Sequence, residues 1–179
     1  MAAVTTLPAA FTVGQVLTST QMNNLRGAFR ILQVVSTTLT STFTSSSTTF
    51  TNMTGLTVSI TPSFNTSKIL VIASLTGSND VAVTSFQIRL ARDGTGIFVG
   101  DAASNRTPSQ HLEAISGSST VTPNLTFLDS PASTSAITYS VQGRNVSAGT
   151  FYINRTKTDS DTAGFPRSAS SITVMEISA

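Results

Sequence analysis

Two segments of this chain are apolar on both faces of a strand. In 68–76 the residues Ile69, Leu70, Val71, Ile72 and Ala73 follow one another without a polar interruption. In 171–177, Ile172 and Val174 point one way while Met175 and Ile177 point the other. A strand in a two-layer sandwich alternates apolar and polar residues because one face meets water. Strands with no solvent side must be covered twice. The second cover is either another copy of the chain or the chain's own N-terminal arm or helix. Another copy is the simpler arrangement for a single domain. It assigns Ile69, Val71, Ile172, Val174, Met175 and Ile177 to an interface between copies.

The rest of 31–179 reads as strands as well. Further candidates are 31–38, 41–51, 56–61, 83–92, 96–100, 124–129, 136–144 and 150–155. Alternation is plain in Phe86/Ile88/Leu90 and in Ile137/Tyr139/Val141. Turn signals separate the runs, among them Thr61-Pro62, Gly77-Ser78-Asn79-Asp80, Asp93-Gly94 and Ser130-Pro131. Roughly ten short strands at this spacing predict an all-β fold, a jelly-roll-like antiparallel sandwich. Two long connections, 101–123 and 156–170, interrupt it, and such lengths are usually functional or bridge subunits.

Before the strands comes a different pattern. Residues 1–17 read as an extended arm, broken by Pro8 and Gly14. Residues 18–32 read as a helix: Thr18 and Gln21 form a capping box, with Met22, Leu25, Phe29 and Leu32 at 3-4-3 spacing. The stripe suits either self-association or packing on its own sandwich. The chain thus divides into an attachment arm and short helix, 1–30, and a β domain, 31–179.

Composition narrows the function classes. Only 10% of residues are charged, against about 25% in an average domain; Ser and Thr make up roughly a third. The net charge is +2 with no basic run, so nucleic-acid binding, which needs a Lys/Arg stripe to displace counterions, is not expected. There are no cysteines, which removes disulfides, thiolate metal sites and a Cys nucleophile. Residues 1–10 lack the cationic start and apolar run of a signal peptide, and no window is apolar enough to insert in a membrane.

Catalytic constellations are equally thin. His111 is the single histidine, and no Gly-x-Ser-x-Gly elbow surrounds any serine. Asp159-Ser160-Asp161 offers two carboxylates but no complete calcium loop. No catalytic residue, metal or cofactor is therefore assigned. Glu176 stands out in an apolar strand; a buried carboxylate needs a partner, and Arg89, Arg92, Arg144 and Arg155 are the candidates, within the chain or across a threefold axis.

Two sets of residues carry a resemblance. Residues 11–26, with Phe11, Gly14, Leu17-Thr18 and Met22-Asn23-Asn24, resemble a segment that opens many tailed-phage virion proteins. The resemblance implies docking on the particle, through Phe11, Val13, Leu17, Met22, Leu25 and Phe29. The second set is Ile31-Leu32-Gln33-Val34-Val35, Ser67-Lys68-Ile69-Leu70-Val71, Gly100-Asp101-Ala102-Ala103, Gly149-Thr150-Phe151-Tyr152-Ile153-Asn154-Arg155 and Ser171-Ile172-Thr173-Val174-Met175-Glu176-Ile177. It is similar to a small domain of structural and fibre proteins of aquatic phages. The strand pattern also looks like the trimeric jelly rolls of the complement-globular and tumour-necrosis-factor type, an analogy of fold alone.

The expected protein is a non-enzymatic homotrimer of the virion, assembled in the host cytoplasm and bound to other tail or capsid proteins. The leading form is a tail fibre or knob. Asn105, Arg106, His111, Asp159, Asp161 and Arg167 in its long connections are candidates for contacting a host surface glycan or protein. A capsid decoration protein is the alternative, and a depolymerase or esterase tailspike a more remote one.

Overall fold

The computed structural model describes residues 14, 16–19, 21–22, 31–80, 86–112 and 119–178. The described strands are β1 (Ile31–Leu39), β2 (Phe43–Ser45), β3 (Thr51–Ile60), β4 (Lys68–Ser74), β5 (Gly77–Asn79) and β6 (Phe86–Arg92). They continue with β7 (Thr95–Ile97), β8 (Gln110–Leu112), β9 (Asn124–Asp129), β10 (Ile137–Asn145), β11 (Phe151–Ile153) and β12 (Ser170–Ile177). Every pairing is antiparallel. The first sheet has the order β1-β12-β4-β9 and the second β3-β10-β6-β7, with β8 also on β6. Successive long strands cross between these sheets, which is the jelly-roll arrangement expected from the strand pattern.

The third sheet, β2-β11-β5, repeats the order of the first. β2 follows β1, β5 follows β4 and β11 precedes β12, so it is the first sheet continued past a break. Residues 77–79 were expected as a turn. Instead they pair with β11 and are fully buried, because the chain continues straight out of β4 under cover of that sheet. Phe151 of β11 stacks on Phe86 at 5.4 Å and meets Phe43 at 6.0 Å, closing this end of the core.

Alternation sets the faces. Ile69, Val71 and Ala73 of β4 and Ile172 and Val174 of β12 face inward, against Phe86, Ile88 and Leu90 and against Ile137, Tyr139 and Val141 of the second sheet. β3 begins five residues before its expected start. Gly55, at φ +89°, sits where the register with β10 shifts, and the bulge lets both Met53 and Leu56 point inward. Of the expected helix, the described residues before β1 cover only the start, and they form a helical turn. There Thr18 N–H donates to Gln21 Oε1 at 3.0 Å and Gln21 N–H to Thr18 Oγ1 at 3.2 Å, the expected capping box. Leu25 and Phe29 lie outside the described residues, and Leu32, expected as the helix end, belongs to β1.

Polar side chains fix both ends of the sandwich. At the break between the first and third sheets, buried Asn154 adopts φ +63°, a conformation Asn tolerates better than most residues. Its Nδ2 donates to the carbonyls of Leu39 (2.7 Å) and Ser41 (2.9 Å), and its Oδ1 accepts from Ser170 Oγ at 2.6 Å. One side chain thus ties β1, the start of β12 and the loop before β2.

At the other end, an inward row across the first sheet reads Gln33, Glu176, Ile69, Asp129. Asp129 accepts two hydrogen bonds from Arg92 Nη1, at 2.8 and 2.9 Å, and one from Tyr139 Oη at 2.7 Å. It therefore clamps the two sheets together. Burial and this carboxylate push the Tyr139 phenol pKa far up, so it stays a donor. Glu176, fully buried, has no arginine, contrary to the expected ion pair. Its Oε1 accepts from the Ser63 N–H at 2.6 Å and Ser67 Oγ at 2.7 Å, and its Oε2 from Gln33 Nε2 at 2.6 Å and Ser63 Oγ at 3.2 Å. The one candidate cation at this end, Arg92, is taken by Asp129. Burial alone would raise the Glu176 pKa; the donors Gln33, Ser67 and Ser63 outweigh it, and the pKa lies below the ordinary value.

Two predictions follow from these contacts. Asn154→Ala should lower the unfolding free energy by about 2–4 kcal/mol, because it orphans buried carbonyls and strains a left-handed residue. Urea denaturation measures this, and Asn154→Gly, which relieves only the strain, should recover part of the loss. The lowered pKa of Glu176 means that the unfolded chain binds its proton more readily than the folded one. Its contribution is complete above the ordinary value of 4.5 and is lost as pH falls through the lower folded value. The stability difference between wild type and Glu176→Gln should therefore shrink below that pH; a difference constant from pH 7 to pH 3 would contradict the assignment.

Candidate functional site

The outer face of the first sheet leaves a row of apolar side chains open to solvent. Cross-strand register aligns Val34, Met175, Leu70 and Leu128 in one row over all four strands. The next row is Ser36, Thr173, Ile72 and Thr126, and at the far end Ile31 meets Ile177. Val34 and Leu128, on the edge strands, are 54% and 51% exposed. Met175, Leu70, Ile72 and Ile177, on the central strands, are half-buried by their neighbours. The apolar row crosses four strands, about 15 Å at ordinary strand spacing. Lys68 is the single charged side chain in these rows, and it turns to Ser130 Oγ at 2.7 Å.

This geometry corrects the expected interface. Ile69, Val71, Ile172 and Val174 are fully buried in the chain's own core and not on its surface. Of the six residues expected there, Met175 and Ile177 lie on the outer face. Val34, Leu70, Ile72 and Leu128 join them. Side-chain parity carried the missing signal: Lys68 and Ser74 share a face with Leu70 and Ile72, while Ser171 and Thr173 share one with Met175. Glu176 hid it, since a carboxylate on the parity of Ile172 and Val174 makes the inner face look like the wetter one.

Of the expected docking residues, Phe11, Val13, Leu25 and Phe29 lie outside the described residues. Leu17 is half-buried, and Met22 is exposed next to the capped turn.

The two long connections form separate places. Asn105 and Arg106 are exposed on a tight turn closed by the Arg106 N–H to the Ala103 carbonyl at 3.0 Å. His111, expected in a loop, is in β8, paired with Gln87 of β6. Asp159, Asp161 and Arg167 come together and line a shallow cleft with Ser160, Thr162 and Phe165. Within it Asp159 Oδ2 accepts from Arg167 Nη2 at 2.8 Å and lies 3.4 Å from Arg155 Nη1. Two guanidinium groups thus neutralise the carboxylate that calcium would need. Among the described residues, no group of three or more His, Cys, Asp or Glu side chains converges as a metal site would require, and no hydrogen bond or ion pair joins the two connections.

No family model matches the chain, and none of the curated proteins matches it. Among solved structures, one of the infectious bursal disease virus, Gx strain, is similar at 12% identity with a TM-score of 0.36. The match covers 83% of this chain and 39% of that one, so this chain spans well under half the length of that protein.

Proposed function

We propose that the chain is a structural protein of a tailed-phage virion, a trimeric fibre or knob that docks on the particle through residues 1–30. The observation that carries this reading is the apolar outer face of the first sheet. A contiguous apolar surface that crosses every strand of a sheet is unusual on a monomer and typical of an interface. Three copies joined through it would bury Val34, Leu70, Leu128 and Met175 away from water. The three-fold arrangement is supported by the resemblance to trimeric jelly rolls, and the virion location by the resemblance of residues 11–26 to particle-docking segments. In this reading the protein has no catalytic step and no cofactor. Its work is mechanical: it holds a rigid knob at a fixed place, presenting the 101–106 turn and the Asp159–Arg167 cleft outward.

The reading has a direct solution test. At micromolar concentration the purified protein should sediment as three 18.6-kDa chains. The double substitution Val34→Asp and Leu128→Asp should weaken self-association by at least about a hundredfold, as buried charge does at the centre of an interface. Both side chains are already half exposed in one chain, so its strand circular dichroism should survive. A well-folded wild-type monomer at that concentration overturns the trimer. In a particle reconstruction, a few copies at the tail support the fibre. Hundreds of copies over the head would overturn it in favour of capsid decoration.

A further inference from the structure

The other side of the sandwich, the outer face of the second sheet, has the opposite chemistry. Arg89 of β6 and Arg144 of β10 both approach the ring of Phe50, with guanidinium carbons 4.0 and 5.7 Å from its centroid. Arg89 is held from the side as well: its Nε donates to Gln142 Oε1 at 2.8 Å. Gln142 in turn is held by Asn52 Oδ1 at 2.9 Å, which also accepts from Ser140 Oγ at 3.1 Å. Opposite, Gly96 leaves the space that the guanidinium occupies, since a Cβ there would stand 2.8 Å from Arg89 Cζ. The arginine is thus fixed by stacking, by a sideways hydrogen bond and by a glycine wall.

Among the described residues neither cation is neutralised. Among the described residues, the ion pairs of this chain involve Arg92, Arg155 and Arg167, and no carboxylate lies within pairing distance of Arg89 or Arg144. Arg144 Nε and Gln87 Oε1, on cross-strand partners, are buried atoms without a hydrogen-bond partner. Burial lowers the Arg89 pKa, so the charged form is held there at a cost that an anion would offset. A pinned guanidinium whose outer nitrogens make no hydrogen bond to a described residue suits a planar oxyanion.

We propose that Arg89 and Arg144, braced on Phe50, form a binding site for the carboxylate groups of an acidic polysaccharide. The site lies within one chain and goes beyond the assembly reading, which it does not require. Two cations are too few for a nucleic-acid backbone, which is held by a stripe of them. Hydroxyls occupy the same face beyond the arginines: Ser59 Oγ and Thr138 Oγ1 lie 3.0 Å apart on β3 and β10. Thr138 lies four residues along β10 from Gln142, the cross-strand partner of Arg89, about 13 Å at the ordinary strand rise, so the pair is placed to meet the hydroxyls of a sugar further along the same saccharide.

The test is calorimetric titration of the full chain with trigalacturonic acid, its methyl ester and inorganic phosphate. The acid should bind, and the ester, which keeps every hydroxyl and loses the charge, should bind at least about tenfold more weakly. Arg89→Gln, Arg144→Gln and Gly96→Ala should each lower the affinity for the acid by about tenfold or more. Gly96→Ala removes no charge and acts through the displaced guanidinium. The Val34→Asp, Leu128→Asp double variant should bind per chain as wild type does, which separates this site from the trimer. Absence of binding by the wild-type protein, or equal binding of acid and ester, overturns the proposal without recourse to any variant. Equal affinity for phosphate and trisaccharide overturns its saccharide part.

Discussion

The structure turns on where β12 lies. It inserts between β1 and β4 and pairs with both along its full length, so the first sheet does not exist until Ser170–Ile177 meets two strands more than ninety residues earlier in the chain. The core needs its inward side chains, Ile172 and Val174; the outer apolar row needs its outward one, Met175. A slip of one residue would exchange the two faces, sending Met175 and Ile177 inside and Val174 outside. The register therefore has to be held from its ends. Such a topology closes long loops before any pairing rewards them, which makes folding slow relative to local, helical folds.

Both holding points are polar. Ser170 starts β12 by donating to buried Asn154, and Glu176 finishes it inside a cage of Gln33, Ser63 and Ser67. Either contact would be lost on slipping, because the serine or the carboxylate would turn outward. A chain in which roughly a third of residues are Ser or Thr can satisfy a buried carboxylate with hydroxyls and amides instead of a cation. That leaves its few arginines for other duties: Arg92 joins the two sheets through Asp129, and Arg89 and Arg144 stand on the outside without an ion pair among the described residues. The hydroxyl-rich composition is thus part of the way the interior is satisfied as well as a property of the surface.

The two broad outer faces divide by chemistry. One is a band of Val, Leu and Met crossed by threonines; the other is a lattice of Asn, Gln, Ser and Arg around one phenylalanine. The same antiparallel frame fixes both. The Asp159–Arg167 cleft and the 101–106 turn add exposed, charged features at separate places.

Some of this was legible in the residues. Alternation in Phe86/Ile88/Leu90 and Ile137/Tyr139/Val141 marked inward faces, because a period of two leaves a strand no other choice. The run 69–73 announced a strand apolar on both faces, and Thr18 with Gln21 announced a capped turn. What one sequence left in conflict was the inner face of β4 and β12, since Lys68, Ser74, Ser171 and Thr173 mark one parity as outer and Glu176 marks the other, and only the opposing sheet breaks the tie. Nor could it find the partners of Glu176: Gln33 and Ser67 lie 143 and 109 residues away, and a hydroxyl carries no charge that would mark it as a counterpart. The pairing of 77–79 and 110–112 with distant strands, and the meeting of Arg89, Arg144 and Phe50, belong to the tertiary structure alone. Period and polarity are local properties of the chain, whereas register, the inward face and the company a charge keeps are set by which strands come to lie side by side.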